Sequence, residues 1–147
     1  PRKNGMIDSF FKLPDWKSST IVVDLPPGTS DEHLTTLEIL KGKTKVVIVT
    51  TPSPLSIADV KKGINLCKME ETEIVGVVEN FSGVVCPCCG EITPFLGESA
   101  AQSLSSEMGI PLLGTIPFLP AAATAADNGQ TPEVLIPIFN ELVEKIK

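Results

Sequence analysis

Three of the four cysteines in this 147-residue chain, Cys86, Cys88 and Cys89, fall within the run VVCPCCGE, around one proline and ahead of one glycine. Thiolates so close together can ligate a soft metal ion or an iron–sulfur cluster, cycle as a redox dithiol, or close a disulfide. Cys88 and Cys89 are adjacent, and disulfide geometry strains a vicinal pair. A thioredoxin-like dithiol would need Cys86 to open a helix after a strand, where a thiol pKa falls, and the flanking sequence does not place it there. Metal chemistry leads. Structural zinc takes four ligands, yet no second Cys/His pair follows at a suitable spacing. The only histidine, His33, is expected to be hydrogen-bonded or solvent-exposed rather than a ligand. Zinc held between two chains stays open as an alternative. Cys88 reads as a passenger, and Cys67, on the apolar stripe of a helical segment, as a small hydrophobe.

A second constellation is VVDLPPGTSD, residues 22–31. An acid at the end of a strand, followed by a glycine-bearing turn, is how P-loop nucleotidases hold Mg²⁺ and sense a γ-phosphate. Asp24 would meet the magnesium, and the backbone N–H of Gly28 could approach phosphate with no side chain in the way. The same residues also suit a helix-capping acid before a proline turn.

These residues need a frame, and four β-branched runs supply one: 19–24, 44–50, 72–78 and 111–116. Each is nearly continuous in apolar residues, as strands buried on both faces are. Helix-length segments separate them. Ser30 or Asp31 caps one that ends near Gly42, and others cover 56–69, 97–109 and 131–147. The alternation predicts an α/β fold with a mostly parallel sheet and helices on both faces, in one domain over 1–147. Residues 81–97 exceed what a plain connection needs and read as an inserted loop or hairpin with the cysteines at its tip.

Composition narrows the function. A hydrophobic content of 42% and 20% charged residues describe a globular chain. The net charge of −6 and the lack of a Lys/Arg cluster argue against nucleic acid as a partner. No apolar run approaches the length of a membrane span, and no leader opens the chain, so a soluble, cytosolic protein is expected.

In order along the chain, DLPPGTSD (24–31), VTTPSPLSIADVKK (49–62), GVVENFSGVVCPCCG (76–90) and LLGTIPFLP (112–120) resemble the Mrp/ApbC family of MinD-related P-loop ATPases, which assemble and carry iron–sulfur clusters. The resemblance implies that Cys86 and Cys89 meet the same pair from a second copy and hold a 4Fe–4S cluster across a homodimer. Four thiolates suit a cubane, and one chain offers one well-formed pair. It implies also that Asn80 reads the adenine edge of ATP, that Pro117 and Phe118 flank the base, and that Thr50, Thr51 and Pro52 border the nucleotide. Recipient apo iron–sulfur proteins would be the partners. Taken alone, Asn80 also suits a strand-end turn, and the Thr-Thr-Pro run a strand end.

Nothing in the chain matches Gly-x-x-x-x-Gly-Lys-Ser/Thr, the loop that cradles the α- and β-phosphates. The chain is therefore not expected to hydrolyse ATP by itself. In P-loop folds the strand before that loop lies between the Asp-bearing strand and the one over 44–50. Without it, inner strands would keep unpaired N–H and C=O groups, costing about 1–3 kcal/mol per buried group. The expectation is the C-terminal portion of a longer P-loop ATPase, binding ATP and Mg²⁺ only when complete. The alternative function is a non-catalytic dimerisation module bridged by zinc. A MinD-like positioning ATPase fits less well, because the last helical segment lacks the basic face that a membrane surface would select.

Overall fold

A computed structural model describes residues 2–86, 88–94, 97 and 99–146. Its elements follow in the order α1 (Arg2–Lys12), α2 (Asp31–Ile39), β1 (Lys45–Thr50), α3 (Pro54–Met69), β2 (Glu73–Val85), β3 (Ile92–Thr93), α4 (Ala100–Met108), β4 (Leu112–Phe118), α5 (Pro120–Asp127), a 3₁₀ turn (Glu133–Leu135) and α6 (Ile136–Ile146). The contacts divide the chain into two compact units, one of residues 1–46 and 59–74, the other of residues 47–58 and 75–147.

The second unit holds most of the sheet. Strand β2 is its centre, with β1 as a neighbour, β4 parallel to it and the short β3 antiparallel. Val78 on β2 and Leu113 on β4 pack with Leu142 of α6, and Val47, Val75, Ile116, Ile138 and Ile146 close around them. The Lys145 ammonium fixes the end of α6 by donating to the Leu113 carbonyl. Successive side chains on a strand point to opposite faces. Glu79, next after Val78, accordingly meets α4 instead, accepting from the Ala101 N–H at 2.9 Å and the Ser99 hydroxyl at 3.1 Å. Helices α4 and α6 thus cover opposite faces of β2, the α/β arrangement expected of a strand apolar on both sides. Glu79 is 1% exposed. Its carboxyl oxygen satisfies a donor at the start of α4 that the helix cannot pair internally, which makes this buried acid tolerable.

In the first unit α1 packs on α2, and Phe10 stands edge-on to both Phe11 and Trp16. Leu37, Ile64 and Cys67 are buried. Ser30 caps α2, and its N–H donates to Nδ1 of His33 at 3.3 Å, so the lone histidine serves the helix end.

Two expectations need correction. Residues 19–24 form no strand: the segment has no regular structure, and Val22 is 91% exposed. High β-propensity makes a strand only where a neighbouring edge offers ladder bonds, and among the described residues none pairs with this segment. Its peptide groups stay in water and avoid the burial penalty. Strand β1 is also less enclosed than its continuous apolar sequence predicts, with Val49 59% exposed. Helices α1 and α5 were not among the expected elements. Among the described residues no helix is long and apolar enough to cross a membrane.

Candidate functional site

The cysteine run forms the tip of the β2–β3 hairpin. Val84 and Val85 pair with Thr93 and Ile92, a close approach that depends on Gly83, where an added Cβ would fall 2.6 Å from the Ile92 side chain and 2.8 Å from the Thr93 carbonyl oxygen. Beyond the last pair, the Cys86 N–H donates to the Glu91 carbonyl at 2.8 Å, and the Gly90 N–H donates to the Cys86 carbonyl at 2.9 Å. Gly90 closes the turn at φ +76°, a conformation other residues adopt only with strain. Of residues 81–97, Pro87, Phe95 and Leu96 lie outside the described residues.

Within this turn the residue Cys86 is half-buried, while Cys88 and Cys89 are exposed; all three are free thiols. Hydrogen bonding from the backbone N–H of Cys89, and next from that of Cys88, holds the Cys86 thiol below its ordinary pKa, because it favours the charged form. A lowered pKa favours the thiolate, the form in which a cysteine binds metal. Among the described residues no three His, Cys, Asp or Glu side chains converge as a metal-holding group. Cys67, by contrast, is buried in α3, and burial pushes its thiol pKa up.

A second grouping lies where β2 runs beside β4. Asn80 stands opposite Ile116 and Val84 opposite Phe118, so β2 carries three residues, 81–83, where β4 carries only Pro117. Proline has no N–H to give the ladder, and the facing strand bulges at that point. The bulge puts Phe81 at φ +58°, an outlier for a bulky residue, and its N–H donates to Oδ1 of Asn80 at 3.0 Å. The rings of Phe81 and Phe118 meet edge to face, 5.7 Å apart. Asn80, Pro117 and Phe118 are thus brought together at the C-terminal ends of parallel strands, where α/β sheets take their ligands. Phe81 joins them without having been expected. Its signal, an aromatic directly after Asn80, gains meaning only once the bulge aims it toward Phe118.

At the end of β1, Thr50 is buried and shares a hydrogen bond with the Ser56 hydroxyl at 3.1 Å, while the Thr51 N–H donates to that hydroxyl at 3.3 Å. Pro52 is buried beside them, and the Ser53 carbonyl opens α3 by accepting from Ile57. Asp24 and Gly28 belong to the first unit, both exposed, with Gly28 at φ +97°. Glu79 was also missed. A single acid inside the apolar run GVVENF was its signal.

The fold and the tip together define an α/β protein of the P-loop type that displays a thiol hairpin. Residues 1–146 match the family model described as ParA: NUBPL iron-transfer P-loop NTPase, and the chain belongs to that family. It is 38% identical to the cytosolic Fe-S cluster assembly factor CFD1 of Eremothecium gossypii over 99% of this chain and 57% of that protein. It is 45% identical to the cytosolic Fe-S cluster assembly factor Nubp1 homolog of Drosophila pseudoobscura pseudoobscura, over 88% of this chain and 44% of that protein. The chain thus spans about half the length of the curated relatives it matches. Among solved structures, a nucleotide-binding protein of Archaeoglobus fulgidus, in complex with ADP and with cobalt found in it, superposes with a TM-score of 0.77 at 35% identity, covering 89% of this chain and 54% of that one. The cell division ATPase MinD of Pyrococcus furiosus, at 23% identity and a TM-score of 0.69 over 97% of this chain and 57% of its own, shares the fold.

Proposed function

We propose that this chain is the cluster-bearing portion of a cytosolic iron–sulfur cluster scaffold or carrier. Cys86 and Cys89 of two copies hold a 4Fe–4S cluster between them for delivery to apo iron–sulfur proteins. The observation that carries this reading is the hairpin tip closed by the Cys86–Glu91 and Gly90–Cys86 hydrogen bonds, with Cys86 half-buried, Cys89 exposed and both thiols free. Such a turn supplies two thiolates, and a cubane needs four. The relatives named as cytosolic Fe-S cluster assembly factors support the cargo and the compartment.

The nucleotide reading belongs to the same proposal. Asn80, Pro117 and Phe118, with Phe81 beside them, take the adenine of ATP, and Thr51 and Pro52 border it. Asp24 and Gly28 act toward Mg²⁺ and the γ-phosphate in the complete protein. Support comes from the ADP complex of the Archaeoglobus relative and from the amide and paired rings gathered around the bulge.

Anaerobic reconstitution with iron and sulfide tests the cargo. The expected product is a dimer with about two irons and two sulfides per chain, the share of a cubane divided between two copies. Purification without oxygen that yields one zinc per dimer and no iron uptake would replace the carrier with a zinc-bridged dimer. Undiminished uptake by Cys86→Ala would remove the ligand assignment.

A further inference from the structure

A carboxamide such as that of Asn80 has two settings. Half a turn about its last bond exchanges Oδ1, an acceptor, with Nδ2, a donor. The two settings suit different purines. A 6-amino purine shows a donor at N6 beside an acceptor ring nitrogen, whereas a 6-oxo purine shows an acceptor at O6 beside the N1–H donor. A side chain free to turn would serve both. Asn80 is not free to turn. The Phe81 N–H donates to its Oδ1 at 3.0 Å, and the opposite setting would bring donor against donor. That N–H comes from the bulge, where Phe81 stands at φ +58° and residues 81–83 of β2 face Pro117 alone. Pro117 withholds a ladder N–H, the bulge follows, and Phe81 fixes the amide.

We propose that the Pro117 bulge and the Phe81 N–H are specificity determinants: they lock Asn80 in the setting that accepts from a 6-amino group, so the site takes 6-amino purine nucleotides and turns away 6-oxo ones. The inference rests on the reading of Asn80 as the residue that meets the base. Against a 6-oxo purine the locked Oδ1 would face O6, two acceptors with no proton between them, and a polar group left unpaired in this way weakens binding. The aromatic rings do not make this choice. Phe81 and Phe118 meet edge to face at 5.7 Å, and a ring offers a stacking surface to every base alike. Stacking therefore supplies affinity, and the amide supplies selection. Pro117 and Phe81 act here as positioning residues, through Asn80.

The test uses the complete protein and two nucleotides, ATP and ITP, whose bases differ as 6-amino and 6-oxo purine, each competing against a fluorescent ADP analogue. Wild type is expected to bind ATP roughly tenfold or more tighter than ITP. Pro117→Ala returns an N–H to β4 and lets the strands pair without the bulge, so the ratio should fall toward one. Phe81→Gly keeps the N–H and is at ease at φ +58°; it should weaken both nucleotides alike and preserve the ratio. Equal binding of ATP and ITP by wild type overturns the lock, as does an unchanged ratio in Pro117→Ala or a lost ratio in Phe81→Gly. Asn80→Ala judges the underlying reading separately. If it binds ATP as tightly as wild type, Asn80 does not meet the base and the lock goes with it. If it loses ATP while wild type fails to distinguish ATP from ITP, the base contact stands and only the lock is removed.

Discussion

The same side chain occupies opposite environments at Cys67 and Cys86. Cys67 lies within α3, 5% exposed, and burial raises its pKa because an apolar surround disfavours the thiolate. Cys86 sits at the hairpin tip, where N–H groups of the next turn lower its pKa by stabilising the same thiolate. Residue type supplies the chemistry, and position decides whether it is used. One cysteine fills space; the other is held toward its thiolate form.

The sharpest way to break this contrast is to exchange the two thiols for alanine one at a time. Cys86→Ala is expected to abolish iron and sulfide uptake in anaerobic reconstitution, whereas Cys67→Ala keeps full uptake per folded chain. Equal loss in both variants would mean that Cys67 has a part in the site. Next in size is reactivity toward iodoacetamide, read by mass spectrometry on the native protein. An ordinary cysteine loses about tenfold in thiolate for each pH unit below roughly 8.5. With its pKa lowered, Cys86 stays ionised further down, so its labelling rate should fall less than that of a free cysteine between pH 9 and 7. Cys67, shifted the other way and buried, should label only when its helix opens. Native labelling of Cys67 as fast as Cys86 would erase the distinction.

Much of this contrast was legible in the sequence, because it depends on residue types and helical spacing: three thiols around Pro87 and Gly90, and a fourth on an apolar stripe. The strands over 73–78 and 112–116 were legible for the same reason. The rest depended on partners that no local pattern displays. The expected strand ended at 78 and residues 81–97 read as an inserted loop or hairpin, yet β2 runs unbroken to Val85 and is itself the first arm of that hairpin. Helix α4 satisfies Glu79, β4 supplies the ladder, and the missing N–H of Pro117 turns the mismatch into a bulge. Residues 19–24 failed in the opposite sense, with strand-forming side chains and no edge to pair with. The meeting of Phe81 with Phe118 follows from that bulge and could not be read 37 positions apart. Helix α5 did leave a signal, a proline at its first position followed by alanines.

A smaller effect separates frame from tip. Glu79→Ala removes the acceptor of the Ala101 N–H and the Ser99 hydroxyl. Leaving such buried donors unpaired costs about 1–3 kcal/mol. Calorimetry should register this as a lower melting temperature, while Cys86 labelling in the folded protein stays at its wild-type rate. A change in Cys86 reactivity at unchanged stability would show that the tip takes its geometry from the α4 contact and not from its own turn.

The smallest effect concerns Cys67 alone. Cys67→Ser changes sulfur to oxygen at nearly constant shape and moves a hydroxyl into an apolar site, where an unpaired one costs about 1–3 kcal/mol. A helical serine can recover part of this by donating to the carbonyl four residues earlier, here Gly63. The net loss should then be about 1 kcal/mol, seen in urea as a lower midpoint with an unchanged slope under anaerobic, reducing conditions. Uptake of iron per folded chain should not move, because a packing thiol contributes volume and no ligand. If Cys67→Ser instead left the midpoint in place and lowered uptake, burial would not be what silences this cysteine, and the division between a thiol that packs and a thiol that binds would have to be redrawn.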